Sequence, residues 1–196
     1  MTDPETIRLY DARAADYAAA TASDAPDATL AAFIAALPPA GAVLDLGCGP
    51  GFAAGHMAAA GLRVEAWDAS AGMAALAAAR PGVVARQAVF DDLEAVDAYD
   101  GVWANFSLLH APRSAIPRHL AAIARALRPG GVLHVAVKEG DGDRRDALGR
   151  LYTYFTEVEL CGLLRAAGLR PGAVARGADP GLDGVVAPWI AVTARA

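Results

Sequence analysis

Two patterns of apolar residues take turns along this chain: stripes at helical spacing and short unbroken runs. Leu30, Phe33, Ile34 and Leu37 repeat at i, i+3, i+4 and i+7, an amphipathic stripe that Pro38-Pro39 stops. Ile7, Tyr10, Ala14 and Tyr17 keep helical spacing behind Pro4. Residues 3–37 therefore predict two helices, separated by the polar stretch Thr21–Asp27, where Asp24 is the candidate N-cap. From Ala42 the runs begin. Ala42–Leu46, Arg63–Asp68, Val83–Val89, Tyr99–Asn105 and Val132–Val137 read as buried strands. Helical stretches separate them: Phe52–Ala60 ended by Gly61, a Ser70-capped helix with Met73 and Leu76, and a Ser114-capped helix with Ile116, Leu120, Ile123 and Leu127. His56 lies within its helix, exposed or satisfied in the core, His119 falls on the outward side of its own, and His134 alternates within the fifth strand as a half-buried residue. Thr156-x-x-Glu159 is a capping box opening a helix with Leu160, Leu163 and Leu164 inward. Two further runs, Ala173–Arg176 and Trp189–Thr193, are joined by the Pro/Gly-rich Gly177–Pro188. Strands alternating with helices predict an α/β fold around a mostly parallel sheet.

One stretch carries chemistry. Val43-Leu44-Asp45-Leu46-Gly47-Cys48-Gly49-Pro50-Gly51 is a strand running into three alternating glycines and then a helix. Such glycines serve positive φ or close approach to a ligand, and a helix N-terminus beyond them offers free N–H groups. The spacing is G-x-G-x-G, with no lysine following, so it is neither the dinucleotide fingerprint nor the phosphate loop. Asp45 would repel a pyrophosphate but suits a ligand carrying an ammonium. Asp68 ends the second strand 23 residues after Asp45, where an acid suits the two hydroxyls of a ribose. A ribose plus an amino-acid head describes S-adenosylmethionine.

On these residues the chain resembles the class I S-adenosylmethionine-dependent methyltransferases, of the broad small-molecule type that includes quinone-biosynthesis and tellurite-resistance methyltransferases. Val43–Gly51 resembles the family's first motif, Asp68 the acid of its second strand, Tyr99–Asn105 its fourth strand, and Leu127–Gly131 the turn into its fifth. The resemblance runs from about residue 40 to 170. It implies a three-layer Rossmann-like sandwich with a seven-stranded sheet in the order 3-2-1-4-5-7-6, the last strand antiparallel. It also implies a helical cap over residues 1–37 on a core over 42–196, together one domain. The cofactor set it implies is Asp45, Gly47, Cys48, Gly49, Gly51, Phe52, Asp68, Ala69, Ser70, Met73, Phe90, Asp91, Asn105 and Phe106, with S-adenosylhomocysteine as the product. The family commonly places an Asp four residues before Leu93. Val89 stands there, so the partner of the adenine amine is Asp91, Asp92 or a backbone carbonyl.

The acceptor side is drawn more loosely. Ligands in open α/β sheets sit outside the carboxyl ends of the strands, so the loop Asn105–His110 faces the reacting methyl. His110 is the best-placed base, although the resemblance equally implies a histidine serving packing or helix capping there, and Tyr17 is a second catalytic candidate. Tyr10 and Tyr17 either shape the acceptor site, as the family's N-terminal cap does, or pack their helix on the core. Lys138, Arg150, Tyr152 and Tyr154 follow a strand's C-terminal end, where they either bind a small anionic or aromatic acceptor or form a charged loop and packed segment.

Composition narrows the partners. The net charge of −5 argues against nucleic acid, and the arginines at 113, 118, 125 and 128 read as a solvated helix face. No apolar run reaches the ~20 residues of a spanning helix, and the acidic Met1–Glu5 opening carries no secretion signal, so the expected setting is cytoplasmic. Cys48 and Cys161 lack metal-ligand spacing and read as reduced thiols, with no metal expected. The residues leave two functions standing: a methyltransferase for a small molecule, and a catalytically silent S-adenosylmethionine-binding regulator or partner subunit. A nicotinamide oxidoreductase is disfavoured by the glycine spacing and Asp45. Oligomeric state is not legible.

Overall fold

The computed structural model describes residues 3–196; Met1 and Thr2 of the acidic opening lie outside it. Its elements, in chain order, are α1 (Pro4–Ala12), α2 (Ala14–Ala20), α3 (Ala28–Ala35), β1 (Ala42–Leu46), α4 (Phe52–Ala59), β2 (Arg63–Asp68), α5 (Ala71–Ala78), β3 (Val83–Gln87), β4 (Tyr99–Asn105), α6 (Ile116–Ala126), β5 (Leu127–Lys138), β6 (Asp143–Arg145), β7 (Leu151–Thr153), α7 (Glu157–Ala166), β8 (Arg170–Pro180) and β9 (Val186–Arg195). Seven strands form one sheet in the order β3-β2-β1-β4-β5-β9-β8, and β6-β7 form a separate ribbon. With the ribbon set aside this is the expected 3-2-1-4-5-7-6. β9 runs antiparallel to β5 and β8, and the other pairs are parallel.

Strand alternation sorts the core into two layers. Leu44 and Leu46 of β1, with Val102 and Ala104 of β4, face α6 and α7 through Ile116, Leu120, Ile123, Leu160 and Leu164. Val43 and Trp103 point the other way, against Leu30 and Phe33 of α3 and Ala54 and Met57 of α4. By the same alternation Asp45 shares Val43's face and lies beneath the start of α4. This parity alone puts a carboxylate at the strand's functional end.

Several local expectations differ from the structure. The first predicted helix breaks at Arg13 (φ −119°, ψ 20°), giving three N-terminal helices rather than two. Asp11 anchors the chain there, accepting from the Ser70 hydroxyl at 2.5 Å and the Gly72 amide at 3.1 Å. Asp27, not Asp24, caps α3 by accepting from Leu30 N at 2.8 Å. Asp27 sits immediately before the first helical residue, which Asp24 does not. β3 ends at Gln87 instead of Val89: Ala88 N makes the last ladder bond, to Asp68 O, and Val89 N turns to Asp92 Oδ2. β8 and β9 run well beyond the predicted four or five residues into Gly177–Pro188, zipped by their own antiparallel ladder. His119 is buried rather than exposed, its ring edge-on to Phe90 at 5.4 Å. Thr156 caps α7 by accepting from Glu159 N at 3.2 Å, but the Glu159 carboxylate goes to Arg113 instead of closing the box. No helix of the described residues is long and apolar enough to cross a membrane.

Candidate functional site

The glycine stretch builds the floor of a cleft at the carboxyl ends of β1, β2 and β4. Gly47 takes φ +79°, and a Cβ placed there would lie 2.3 Å from Ser107 Cβ, so only glycine fits. Gly51 takes φ +76° as it enters α4, and an added Cβ would meet Ala77 at 2.7 Å. That glycine turns the chain and packs α4 on α5; it does not line the cleft.

The loop's amides are spent inside the protein. Gly47 N and Cys48 N both donate to Trp67 O, at 2.7 and 2.9 Å. Gly49 N donates to Asp68 Oδ2 at 2.8 Å, and Ser70 N to Asp68 Oδ1 at 2.9 Å. These loop amides are therefore unavailable to a ligand. The cleft takes acidic character instead. Asp45 is 2% exposed, and its Oδ2 has no hydrogen-bond partner. Burial, then the neighbouring Asp68 charge, pushes the Asp45 carboxyl up to about 8, against a lowering by the Ala54 N–H. Burial raises Asp68 as well, offset by its two amide bonds.

A cleft of about 280 Å³ gathers most of the predicted residues. Asp45, Gly47, Cys48, Gly49 and Phe52 form its floor, with Asp68, Ala69, Ser70, Met73 and Phe90 along one side and Asn105 and Phe106 on another. Tyr10, Tyr17 and His110 close over it. Tyr17 packs beside Gly49, and its ring meets Tyr10 edge-on at 5.5 Å. Phe106 holds φ +52°, an uncommon conformation for a bulky residue, which sets its ring at the rim. Asn105 Oδ1 is 2.9 Å from His134 Nε2, and the His134 ring stacks on Trp103 at 3.7 Å.

His110 is held at both nitrogens. Its Nδ1 lies 2.7 Å from Leu151 O, which only accepts, so Nδ1 carries the proton. Nε2 then accepts from the Tyr10 hydroxyl at 2.9 Å, and Arg150 Nη1 donates to that same oxygen at 3.2 Å. Burial pushes His110 down to about 4, so the ring is neutral near pH 7. Burial likewise raises both tyrosine hydroxyls above their ordinary value.

Six predicted residues lie outside the cleft lining. Gly51 serves the turn, as above. Asp91 pairs with Arg118 at 2.8 Å, and the adjacent Asp92 accepts from Val89 N at 2.9 Å. Arg150, 2% exposed, binds Asp146 through Nε at 2.8 Å and Nη2 at 2.6 Å, which leaves only Nη1 for Tyr10. Tyr152 is buried behind His110, ring centroids 4.8 Å apart. Lys138 sits over the Tyr152 ring at 4.3 Å, and Tyr154 lies under Arg144 at 3.9 Å. Arg150 and Tyr152 thus form a packed layer behind the cleft, and none of the four residues lines it.

The cleft also uses residues that sequence reading passes over. Ser107 donates from Oγ to Leu46 O at 2.6 Å and seals the floor. His56 lines the wall with Nε2 unpartnered, and Thr21, Ser23, Pro26 and Leu30 supply a further side. Only the place of Thr21, Ser23 and Pro26 between two predicted helices hinted at them, and Leu30 was read as part of the second helix's apolar stripe.

Fold and site together define a Rossmann-like α/β protein with an acidic, glycine-floored cleft at its sheet's carboxyl edge. A family profile described as Methyltransferase domain matches residues 43–131. The 1,6-didemethyltoxoflavin-N1-methyltransferase of Burkholderia thailandensis, solved with bound 1,6-didemethyltoxoflavin and S-adenosylhomocysteine, is 30% identical, with 96% of this chain and 87% of that one covered and a TM-score of 0.76. A Haloferax volcanii methyltransferase in complex with the Trm112 methyltransferase activator is 22% identical, covering 97% of each chain at a TM-score of 0.77. A Methanosarcina mazei S-adenosylmethionine-dependent methyltransferase is 20% identical, covering 87% of this chain and 98% of that one at 0.75. No curated protein sequence matches. The chain belongs to the S-adenosylmethionine-dependent methyltransferases. It is an enzyme of that family, and S-adenosylmethionine is its cofactor.

Proposed function

We propose that this methyltransferase acts on a small-molecule acceptor held between the glycine floor and the Tyr10–His110 pair. The observation that carries the reading is the unpartnered Oδ2 of Asp45, buried at the cleft floor. An unpaired buried carboxylate is costly until a cation reaches it, and an ammonium is the matching group. Asp68 uses one lone pair on each oxygen for amides and keeps others for hydroxyl donors. Asp45 would hold the cofactor's ammonium, Asp68 its ribose, and Met73, Ala69 and Phe90 its base. Gly47, Cys48, Gly49, Phe52, Ser70, Asn105 and Phe106 would complete the contact.

S-adenosylmethionine supplies a methyl group already activated on a sulfonium. The chain's contribution is then mainly alignment, worth roughly 7–11 kcal/mol in a near-attack geometry. Where the acceptor carries a proton, the Tyr10 oxygen takes it while the Tyr10 proton passes to His110 Nε2 along the 2.9 Å contact. A histidine lowered to about 4 is a weak base, suited to an acceptor made acidic by alkylation. Tyr17 serves as the facing wall. The Burkholderia relative acts on a small molecule, which supports this acceptor class.

A calorimetric titration with S-adenosylhomocysteine tests the cofactor half. One site per chain with about micromolar affinity is expected; no binding by folded protein would remove the reading. Transfer of a radiolabelled methyl group to a metabolite pool then tests catalysis, since a silent binder leaves all label on the cofactor.

A further inference from the structure

Resting on that reading, we infer that the acceptor is an uncharged planar aromatic molecule and that the cleft turns anionic ones away. Among the described residues, no lysine or arginine lines the cleft, whereas Asp27, Asp45 and Asp68 do. The nearest cations are committed elsewhere. Arg150 is spent on Asp146 and the Tyr10 oxygen. Lys138 lies over Tyr152. Arg80 donates to Pro50 O at 2.6 Å and covers the Phe52 ring from outside.

The glycine loop offers an anion no backbone donor at Gly47, Cys48 or Gly49, whose amides are taken by Trp67 O and Asp68. A carboxylate or phosphate on the acceptor would be stripped of water with no lysine or arginine to pair it, in a cleft that also carries Asp27 on its wall. The walls favour a flat ring instead. Tyr10 and Tyr17 present an edge-to-face pair, and the backbone of Phe106 is held at positive φ to keep its ring on the rim. Aromatic walls gain from any planar ring without needing charge.

The test begins with S-adenosylhomocysteine titrated into the intact chain. Matched probes are then bound at saturating S-adenosylhomocysteine, each pair a neutral heteroaromatic and its carboxylate, 4-hydroxyquinoline with 4-hydroxyquinoline-2-carboxylate among them. Neutral members are expected to bind at least about tenfold tighter than their carboxylates. Thr21→Lys, an exposed position on the cleft wall, is expected to erase that gap. A carboxylate binding as tightly as its neutral partner, no neutral probe binding, or a gap unmoved in Thr21→Lys would overturn the inference. Failure of S-adenosylhomocysteine to bind would instead remove the methyltransferase reading beneath it, so the two failures are told apart.

Discussion

The two walls of the cleft solve opposite problems. The glycine wall, from β1, β2 and α4, leaves two cleft-lining groups without a partner: Asp45 Oδ2 and His56 Nε2. The opposite wall leaves little open. Asp146, Arg150, Tyr10, His110 and Leu151 O form one closed chain of hydrogen bonds from α1 to the β6–β7 ribbon. An open buried polar group marks where a ligand completes the structure, while a closed one holds geometry. The first wall therefore recognises, and the second positions.

The difference also decides what could be read from sequence. The glycine wall is local: strand parity puts Asp45 on the α4 side, and the spacing to Asp68 follows from one βαβ unit. The bonding of the Gly47, Cys48 and Gly49 amides was not legible in the same way, because whether an N–H faces ligand or the next strand depends on the register across β1 and β2. The second wall joins Tyr10 to His110, 100 residues away, and to Arg150, 140 away. No spacing rule spans such distances. Arg150 looks like an anion ligand until Asp146, four residues upstream, is seen to take it. His119 looks exposed by helical spacing until Phe90 packs against it. The helix caps at Ser70 and Thr156 were legible, since each rests on a residue pair close in sequence, while the strand order followed from the family resemblance.

The comparison breaks most visibly at Arg150. Arg150→Met would leave Asp146, 6% exposed at its side chain, without its ion-pair partner. Stability should fall by about 3–5 kcal/mol, read by urea denaturation. A loss within 1 kcal/mol of zero would mean that the second wall is not the closed structure described here.

The positioning role is sharpened next by His110→Asn and Tyr10→Phe. Each removes one end of the 2.9 Å contact. With an acceptor that must lose a proton, turnover should fall by about 10²-fold, while S-adenosylhomocysteine affinity stays within a factor of about three. Equal losses in turnover and in cofactor affinity would place these residues in recognition instead. Asp68→Ala should show the reverse pattern: at least about tenfold weaker S-adenosylhomocysteine binding, close to 1.4 kcal/mol, measured by calorimetry. Unchanged affinity would sink Asp68 as the ribose partner.

The smallest effect is the most diagnostic, because protons report the open wall directly. In the free chain three buried histidines are held low, His110 and His119 at about 4 and His134 at about 3, chiefly by burial. Each contributes stability that is present above about 6.5 and is lost as pH falls toward its folded value. Asp45 acts in the opposite sense: its folded value is raised from 3.8 to about 8, so the folded chain holds a proton that the unfolded chain has released, and stability declines as pH rises across that window. The histidines dominate below about 6.5 and Asp45 above it, which puts the stability maximum of the free chain near pH 6.5. An ammonium arriving at Asp45 would ionise it. Binding of S-adenosylhomocysteine at pH 7 should then release close to one proton, seen as a dependence of the apparent enthalpy on the buffer's ionisation enthalpy. Asp45→Asn should abolish the release and flatten the decline in stability above pH 6.5. Release that persists in Asp45→Asn would move the ionisation to another group, with Asp68 first in line because burial raises it too.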